Sequence, residues 1–481
     1  MNSISNFYRP LSPNNIKRID ETARQILKTV GVKINDSSYL DKLSKVGAAV
    51  DKENSIVRFD EGWLSEMIKK APHRYTAYSR DGKNDLNMGS GEVYFANGGR
   101  VFRILDMNTG GYRLTMLRDI TNTAMLVDRL DNIRMYFISC QAHDLKQEYY
   151  HLNDFFEAFN HTTKHVMGGC TDLDGAKQVH ALAGMIAGGE EQLAQKPFYS
   201  IITNPISPLT IEGNTLSIIE YCTQRGIPIT CAPATIAGAT GPATLAGNLA
   251  QLHAEALAGV ALTQALTPGA KVLYGAVANN MDLRTMELTM GSVEMGMMNA
   301  AAVQLAKLYD LPIYGTGGLT ESKRPDIQAG FEKNFSNLMV AMTGADLIHL
   351  AAGMLDSGNS ISYEQYFIDN ENIGMIQRIL SGINVNDDTL ALDVISGVGP
   401  GGNYVMEEHT VDHMMDEFFY PSLGVRCNFD VWEERGRPNM LKGAAEMVQK
   451  TLRECHECGE GVLDIDLTAE IEKAFPQIDN I

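Results

Sequence analysis

The sequence predicts an α/β protein built on a (β/α)8 TIM barrel with an N-terminal helical cap and a C-terminal extension, and three observations carry that expectation. Between about 92 and 381, eight short runs rich in β-branched and aromatic residues alternate with eight longer amphipathic segments. The short runs are apolar on both faces, which calls for a parallel sheet covered by helices. Eight such units favour a closed barrel over an open doubly wound sheet.

The elements read in order as follows. Residues 1–91 form a small α-rich unit. Ser12-Pro13 has the layout of a helix start, with Ser capping and Pro at the first helical position. Ile16, Ile19, Ala23, Ile26, Leu27 and Val30 recur at helical spacing until Gly31 stops the run. A second helix carries Leu40, Leu43 and Val46, and a third starts at Asp60 after the extended run 56–59. Barrel strands are expected at 93–99, 135–140, 164–170, 198–204, 228–234, 272–279, 312–318 and 347–354. Helices are expected near 116–129, 147–160, 174–187, 213–225, 243–265, 290–309, 327–343 and 362–381. Alternation around Asn108-Thr109-Gly110-Gly111 predicts a β-hairpin in the loop after the first strand. The beat stops near 382, leaving an extension, 382–481, that includes His409, His413, Trp432 and a polar helix from about Pro438 to Cys455.

Composition narrows the function. Forty Lys and Arg against 59 Asp and Glu give a net charge of −19, which argues against nucleic acid, whose phosphates need a basic surface. No run of about 18 apolar residues suggests a membrane span, and residues 1–6 lack the basic-then-apolar layout of a signal peptide. Seven cysteines, an odd number in a long chain, point to a reducing, cytoplasmic setting rather than a disulfide framework.

A barrel of this kind works at the C-terminal ends of its strands, where the loops converge on the axis. Strand ends and following loops offer Asn97, His143, Asn204, Glu212, Asn279, Asn280, Asp282 and Glu321. Tyr94, Tyr314 and His349 lie on the first, seventh and eighth strands, and Asp356 and Tyr363 follow the last. For each, the plain alternative is a satisfied core side chain. Cys140, Cys170 and Cys231 fall near the ends of strands two, three and five, a placement that suits zinc if the thiols meet and small buried hydrophobes if they do not. Cys455-His456-Glu457-Cys458 is a lone CxxC, weak evidence for a metal without a second pair. Gly238-Ala239-Thr240-Gly241-Pro242 precedes a helix and reads as a tight turn or an anion seat.

Several separated motifs resemble the trimethylamine methyltransferase family. They are Tyr274-Gly275-Ala276-Val277-Ala278-Asn279-Asn280-Met281-Asp282, Tyr314-Gly315-Thr316-Gly317-Gly318-Leu319-Thr320-Glu321-Ser322-Lys323, Ile348-His349-Leu350-Ala351-Ala352-Gly353, and Gly399-Pro400-Gly401-Gly402-Asn403-Tyr404 with Glu408-His409-Thr410. The resemblance implies a (β/α)8 enzyme that moves a methyl group from an amine to Co(I) of a separate corrinoid protein, holding no tightly bound cofactor and no metal of its own. It also implies a homo-oligomer. Only the twenty standard letters occur, so the sequence is similar to the branch without pyrrolysine, which acts on quaternary amines such as glycine betaine, proline betaine, carnitine or γ-butyrobetaine.

On that reading the substrate-binding candidates are Tyr94, Asn97, Glu212, Tyr314, His349 and Tyr363. The tyrosines would face the ammonium, and His349 or Asn97 would hold the carboxylate. Two alternatives remain at this level: a zinc-dependent barrel methyltransferase acting on a thiol, and a betaine-binding protein without catalysis.

Overall fold

The computed structural model describes residues 8–457, 459 and 461–478. Eight strands close into a barrel: β1 (Tyr94–Asn97), β2 (Met135–Phe137), β3 (His165–Gly168), β4 (Tyr199–Thr203), β5 (Ile229–Cys231), β6 (Val272–Gly275), β7 (Ile313–Thr316) and β8 (Leu347–Ala352). Neighbours follow chain order, every pair is parallel, and β8 closes on β1. One helix follows each strand: α1 (Leu117–Asp128), α2 (Tyr150–His161), α3 (Leu173–Ala187), α4 (Gly213–Thr223), α5 (Leu245–Leu266), α6 (Val293–Lys307), α7 (Ile327–Thr343) and α8 (Tyr363–Ser381). The expected alternation is therefore present, with strands shorter than the apolar runs that announce them. The run expected as one strand over 272–279 divides into β6 and a separate strand, Asn279–Asp282.

Local chemistry fixes where helices begin. Asp172, Ser292 and Asp326 cap α3, α6 and α7 by accepting the amide protons of Gly175, Met295 and Ala329. Helix α5 is apolar and small-residue-rich almost all round, because it is covered on two sides. It packs on the barrel and under the N-terminal helix Pro13–Thr29. That helix is capped by Ser12, as its sequence suggests.

The segment before the barrel carries the three expected helices and also short strands. Val32–Ile34, Ala49–Asp51 and Ile56–Arg58 pair antiparallel, and Thr210–Ile211 from the loop after β4 joins beside Val32–Ile34. Three-residue strands give almost no periodic signal, which is why the region reads as helical. A hairpin, Tyr75–Ala77 with Leu86–Met88, packs its side chains against the barrel interior from the N-terminal end. It forms the barrel floor.

At the opposite end, the expected hairpin stands on the mouth as Arg103–Leu105 and Tyr112–Leu114, extended by Ser360–Ile361 and Met354–Leu355. Arg113 anchors it with a two-pronged pair to Asp119 at 2.7 and 2.8 Å. In the extension, helix Met440–Glu457 packs on α8 and α1, and Ile465–Ala474 on α3. Cys458 of the CxxC and residues 1–6 lie outside the described residues. No described helix is long and apolar enough to cross a membrane.

Candidate active site

A cavity of about 400 Å³ opens at the C-terminal ends of the strands, lined among others by Arg100, Phe137, Cys170, Asn204, Glu212 and the pair Tyr314 and His349. Both members of that pair are buried. The Tyr314 ring stacks on His349 at 3.9 Å between centroids and 20° between planes, and Phe137 stands 6.4 Å from His349.

The hydrogen bonds of His349 define its tautomer. Thr316 donates its hydroxyl proton to the Ala276 carbonyl at 2.8 Å, so the same oxygen accepts from His349 Nε2 at 2.7 Å. Nδ1 then carries the lone pair, and it is buried without a partner among the described residues, as is the Tyr314 hydroxyl. Burial drives the His349 pKa well below the usual imidazole range and the Tyr314 pKa well above that of a phenol. Both rings are neutral at physiological pH. Burial also lifts the Cys170 thiol well above its ordinary value.

Backbone irregularity places these groups. The β8–β1 register shifts between Ile348 and Ala352, and Leu350 takes a φ of 60°. A bulge of this kind re-aims side chains at a barrel rim. On the other side of the mouth, Gly98 and Gly99 let the chain leave β1 at close quarters, and a Cβ on Gly99 would collide with the Phe137 ring. The next residue, Arg100, also has positive φ (61°) and is among the residues that line the cavity. Its Nη2 is 3.4 Å from Oδ2 of Asp154 on α2. Asp154 is fully buried with no hydrogen bond to either oxygen among the described residues, and burial, opposed by Arg100, pushes its pKa up to about 7.

Of the six candidates, the structure gathers three. Tyr314, His349 and the exposed rim residue Glu212, at the N-cap of α4, line one cavity. The other three sit elsewhere, which corrects their expected roles. Tyr94 is the first residue of β1, not near its end, so it faces the floor hairpin. Its hydroxyl donates to Glu92 and accepts the Asn87 amide. Asn97 spends its amide on the backbone: Nδ2 donates to the carbonyls of Phe137 and Gly98, and Oδ1 accepts the Phe137 amide. Tyr363 opens α8 outside the barrel wall, donating to Asp119 at 2.5 Å and accepting from Asn122. Neither expected carboxylate holder therefore qualifies, since Asn97 has no donor left and His349 offers a lone pair.

Among the remaining candidates, Asn204 lines the cavity, whereas Glu321 accepts the amides of Met290 and Gly291 and His143 contacts Thr115. The three strand-end thiols do not converge. Cys231 faces Gly259 and Thr263 on α5, and among the described residues no cysteine belongs to a group of three metal-ligating side chains within reach of one ion.

A barrel mouth with a neutral aromatic floor and a charge of each sign on its walls belongs to an enzyme that binds a small polar molecule. The family follows from comparison. The family model described as "Trimethylamine methyltransferase (MTTB)" matches residues 1–475, and the chain belongs to that family of methyltransferases. It is 35% identical to trimethylamine methyltransferase MttB of Desulfitobacterium hafniense (strain DSM 10664 / DCB-2) over 84% of this chain and 81% of the relative. It is 29% identical to glycine betaine methyltransferase of Desulfitobacterium hafniense (strain Y51), over 88% of each. The crystal structure of Methanosarcina barkeri monomethylamine methyltransferase shares the fold, with a TM-score of 0.52 and 11% identity over 92% of this chain and 94% of that one.

Proposed function

We propose that the protein transfers a methyl group from a carboxylated quaternary amine, glycine betaine first, to Co(I) of a separate corrinoid protein. The observation that carries this reading is the cavity's division into a neutral aromatic floor and walls bearing Glu212 and Arg100. Such a cavity complements a zwitterion. Aromatic faces and a carboxylate favour the ammonium, and a guanidinium suits the remote carboxylate.

The chemistry asks for little more. When a methyl leaves a quaternary ammonium, the N–C bonding electrons stay on nitrogen and a neutral tertiary amine departs, so no general acid is needed. The partner's cobalt supplies the nucleophile. Attack passes the positive charge from the ammonium towards the methylated cobalt and disperses it in the transition state, and a water-poor pocket favours that dispersal once binding offsets desolvation. Tyr314, His349 and Phe137 hold the trimethylammonium head. Arg100 fixes the other end, which leaves one methyl directed to the mouth.

The mouth also suits a protein partner. Phe102, Leu114 and Met116 after β1, Ile206 after β4, and Leu283 and Met286 after β6 are each at least 45% exposed. All lie in loops on the strand C-terminal side. An apolar rim around a pocket marks a protein docking face, and a corrinoid domain must dock there for its cobalt to reach the methyl.

The test mixes the protein, a reduced corrinoid partner and each amine, and follows loss of the Co(I) spectrum. Glycine betaine is expected to support turnover. Turnover with trimethylamine and with no betaine overturns the substrate, whereas turnover with proline betaine or carnitine alone corrects only the pocket length.

A further inference from the structure

The extension from 383 to 418 folds without a core of its own. Its helices, Asp387–Leu390, Leu392–Val398 and Glu408–Glu417, bury no residue. Ile383, Val385, Leu392, Val405, Met406 and Val411 are each more than 60% exposed. Helices this short are marginal without packing, and within this chain hydrophobic burial holds them only weakly.

Three side chains meet where two of these helices approach. His409 and His413 are four residues apart on Glu408–Glu417, which puts both imidazoles on one face. Their ring centroids are 4.2 Å apart. His413 Nε2 is 3.2 Å from Oδ2 of Asp388, on the first short helix, and His409 Nε2 is 3.3 Å from the Asp388 carbonyl. One ligand atom from each of Asp388, His409 and His413 falls within 4.8 Å of the others. Around a tetrahedral zinc with bonds of roughly 2.1 Å, ligand atoms stand about 3.4 Å apart, so small side-chain rotations close the set. Capping reinforces the geometry, because Asn386 and Thr389 form a reciprocal cap that holds the Asp388 turn.

We propose that Asp388, His409 and His413 form a structural zinc site that clamps helix Asp387–Leu390 to helix Glu408–Glu417. Two neutral imidazoles and a carboxylate are a borderline N/O ligand set that zinc accepts readily, with water completing the tetrahedron. The same ligand types also serve non-haem iron. Here they are exposed or half-buried on coreless helices, a setting that gives a cross-link and offers no enclosed chamber for oxygen chemistry. Metal binding to a segment without a core is itself folding energy. None of the three ligands lines the barrel cavity, so this zinc is separate from the methyl-transfer site.

The full-length protein, dialysed against chelator and then titrated with Zn2+ in the presence of a chromophoric competitor, is expected to bind about one equivalent per chain. Co2+ in its place should give visible bands of tetrahedral intensity. The double variant His409→Ala/His413→Ala should lose at least 100-fold in Zn2+ affinity while keeping its amine affinity, and Asp388→Asn should bind more weakly than wild type. Independently of any variant, Zn2+ should protect the 383–418 segment of the wild-type chain from limited proteolysis. No stoichiometric zinc, undiminished affinity in the double variant, an unchanged wild-type proteolysis pattern, or purification with iron in place of zinc overturns the proposal.

Discussion

Asp154→Asn is the perturbation whose size follows most directly from the structure. The carboxyl is fully buried, and among the described residues neither oxygen has a hydrogen bond and Arg100, at 3.4 Å, is its ion-pair partner. Burial raises its pKa from 3.8 to about 7. Because the folded value is the higher one, the folded chain holds a proton that the unfolded chain has released over that window, and stability falls as pH rises through it. Above about 7 both states are ionised and the slope vanishes. At about 1.4 kcal/mol per pH unit for one proton, the window accounts for about 4 kcal/mol. Asparagine cannot ionise, so the variant lacks this slope. Thermal melts of both proteins between pH 4 and 8 should show the variant gaining on wild type as pH rises. With an unfolding entropy of roughly 2.1 cal/mol/K per residue, the gain is about 4 °C in Tm for a chain of this length unfolding as one unit. Parallel curves, offset by the same amount at every pH, would refute a raised Asp154 pKa.

Arg100→Leu, made together with Asp154→Asn so that no buried charge is stranded, should weaken glycine betaine binding by roughly 10- to 100-fold, the worth of a charge-assisted hydrogen bond. Tetramethylammonium binding should not change, and calorimetry with both ligands separates the two. Tyr314→Leu should cost betaine roughly 5- to 30-fold in affinity through the lost ring face, and unchanged binding would remove the aromatic floor from the proposal. Met286→Asp, on the exposed rim, should raise the concentration of corrinoid partner needed for half-maximal turnover. Its amine affinity should match wild type, and an altered amine affinity would show that the loop belongs to the pocket instead.

The barrel was legible in the sequence because each strand is buried on both faces and each helix follows one, so eight apolar runs announce eight units. Strand ends were less legible, and they decide the site. Tyr94 and Tyr314 are both strand tyrosines, yet Tyr94 opens β1 against the hairpin that closes the N-terminal end while Tyr314 lies in β7 and lines the cavity. A one-sided reading of "on a strand" cannot distinguish them. Arg100 was missed because it follows the strand in a left-handed turn. Its visible signal was two glycines directly after β1 at the working end of a barrel. Asp154 reads as a solvated helix charge until its neighbours are counted. Leu152, Phe155, Phe156 and Phe159 are buried on the same helix, so that carboxylate has no wet face. His409 and His413 are visible in the sequence only as two histidines of the extension, and the fold is what brings Asp388 to them.

The titratable groups lining the cavity share a tendency that bears on the proposed reaction. Burial keeps His349 unprotonated, keeps the Tyr314 hydroxyl intact and keeps Cys170 a thiol. A methylated ammonium is an electrophile, and a thiolate beside it would take the methyl group. Cys170 lines the same cavity, so its raised pKa removes the strongest competitor for the methyl at neutral pH. The neutral floor likewise contributes no positive charge to repel the substrate's ammonium. On the proposed reading, Arg100 and Glu212 on the walls would meet the two ends of the zwitterion, while rings surround the reacting centre. For the proposed reaction this arrangement would select, dry and aim the substrate, with the nucleophile supplied by a partner docked over the apolar rim.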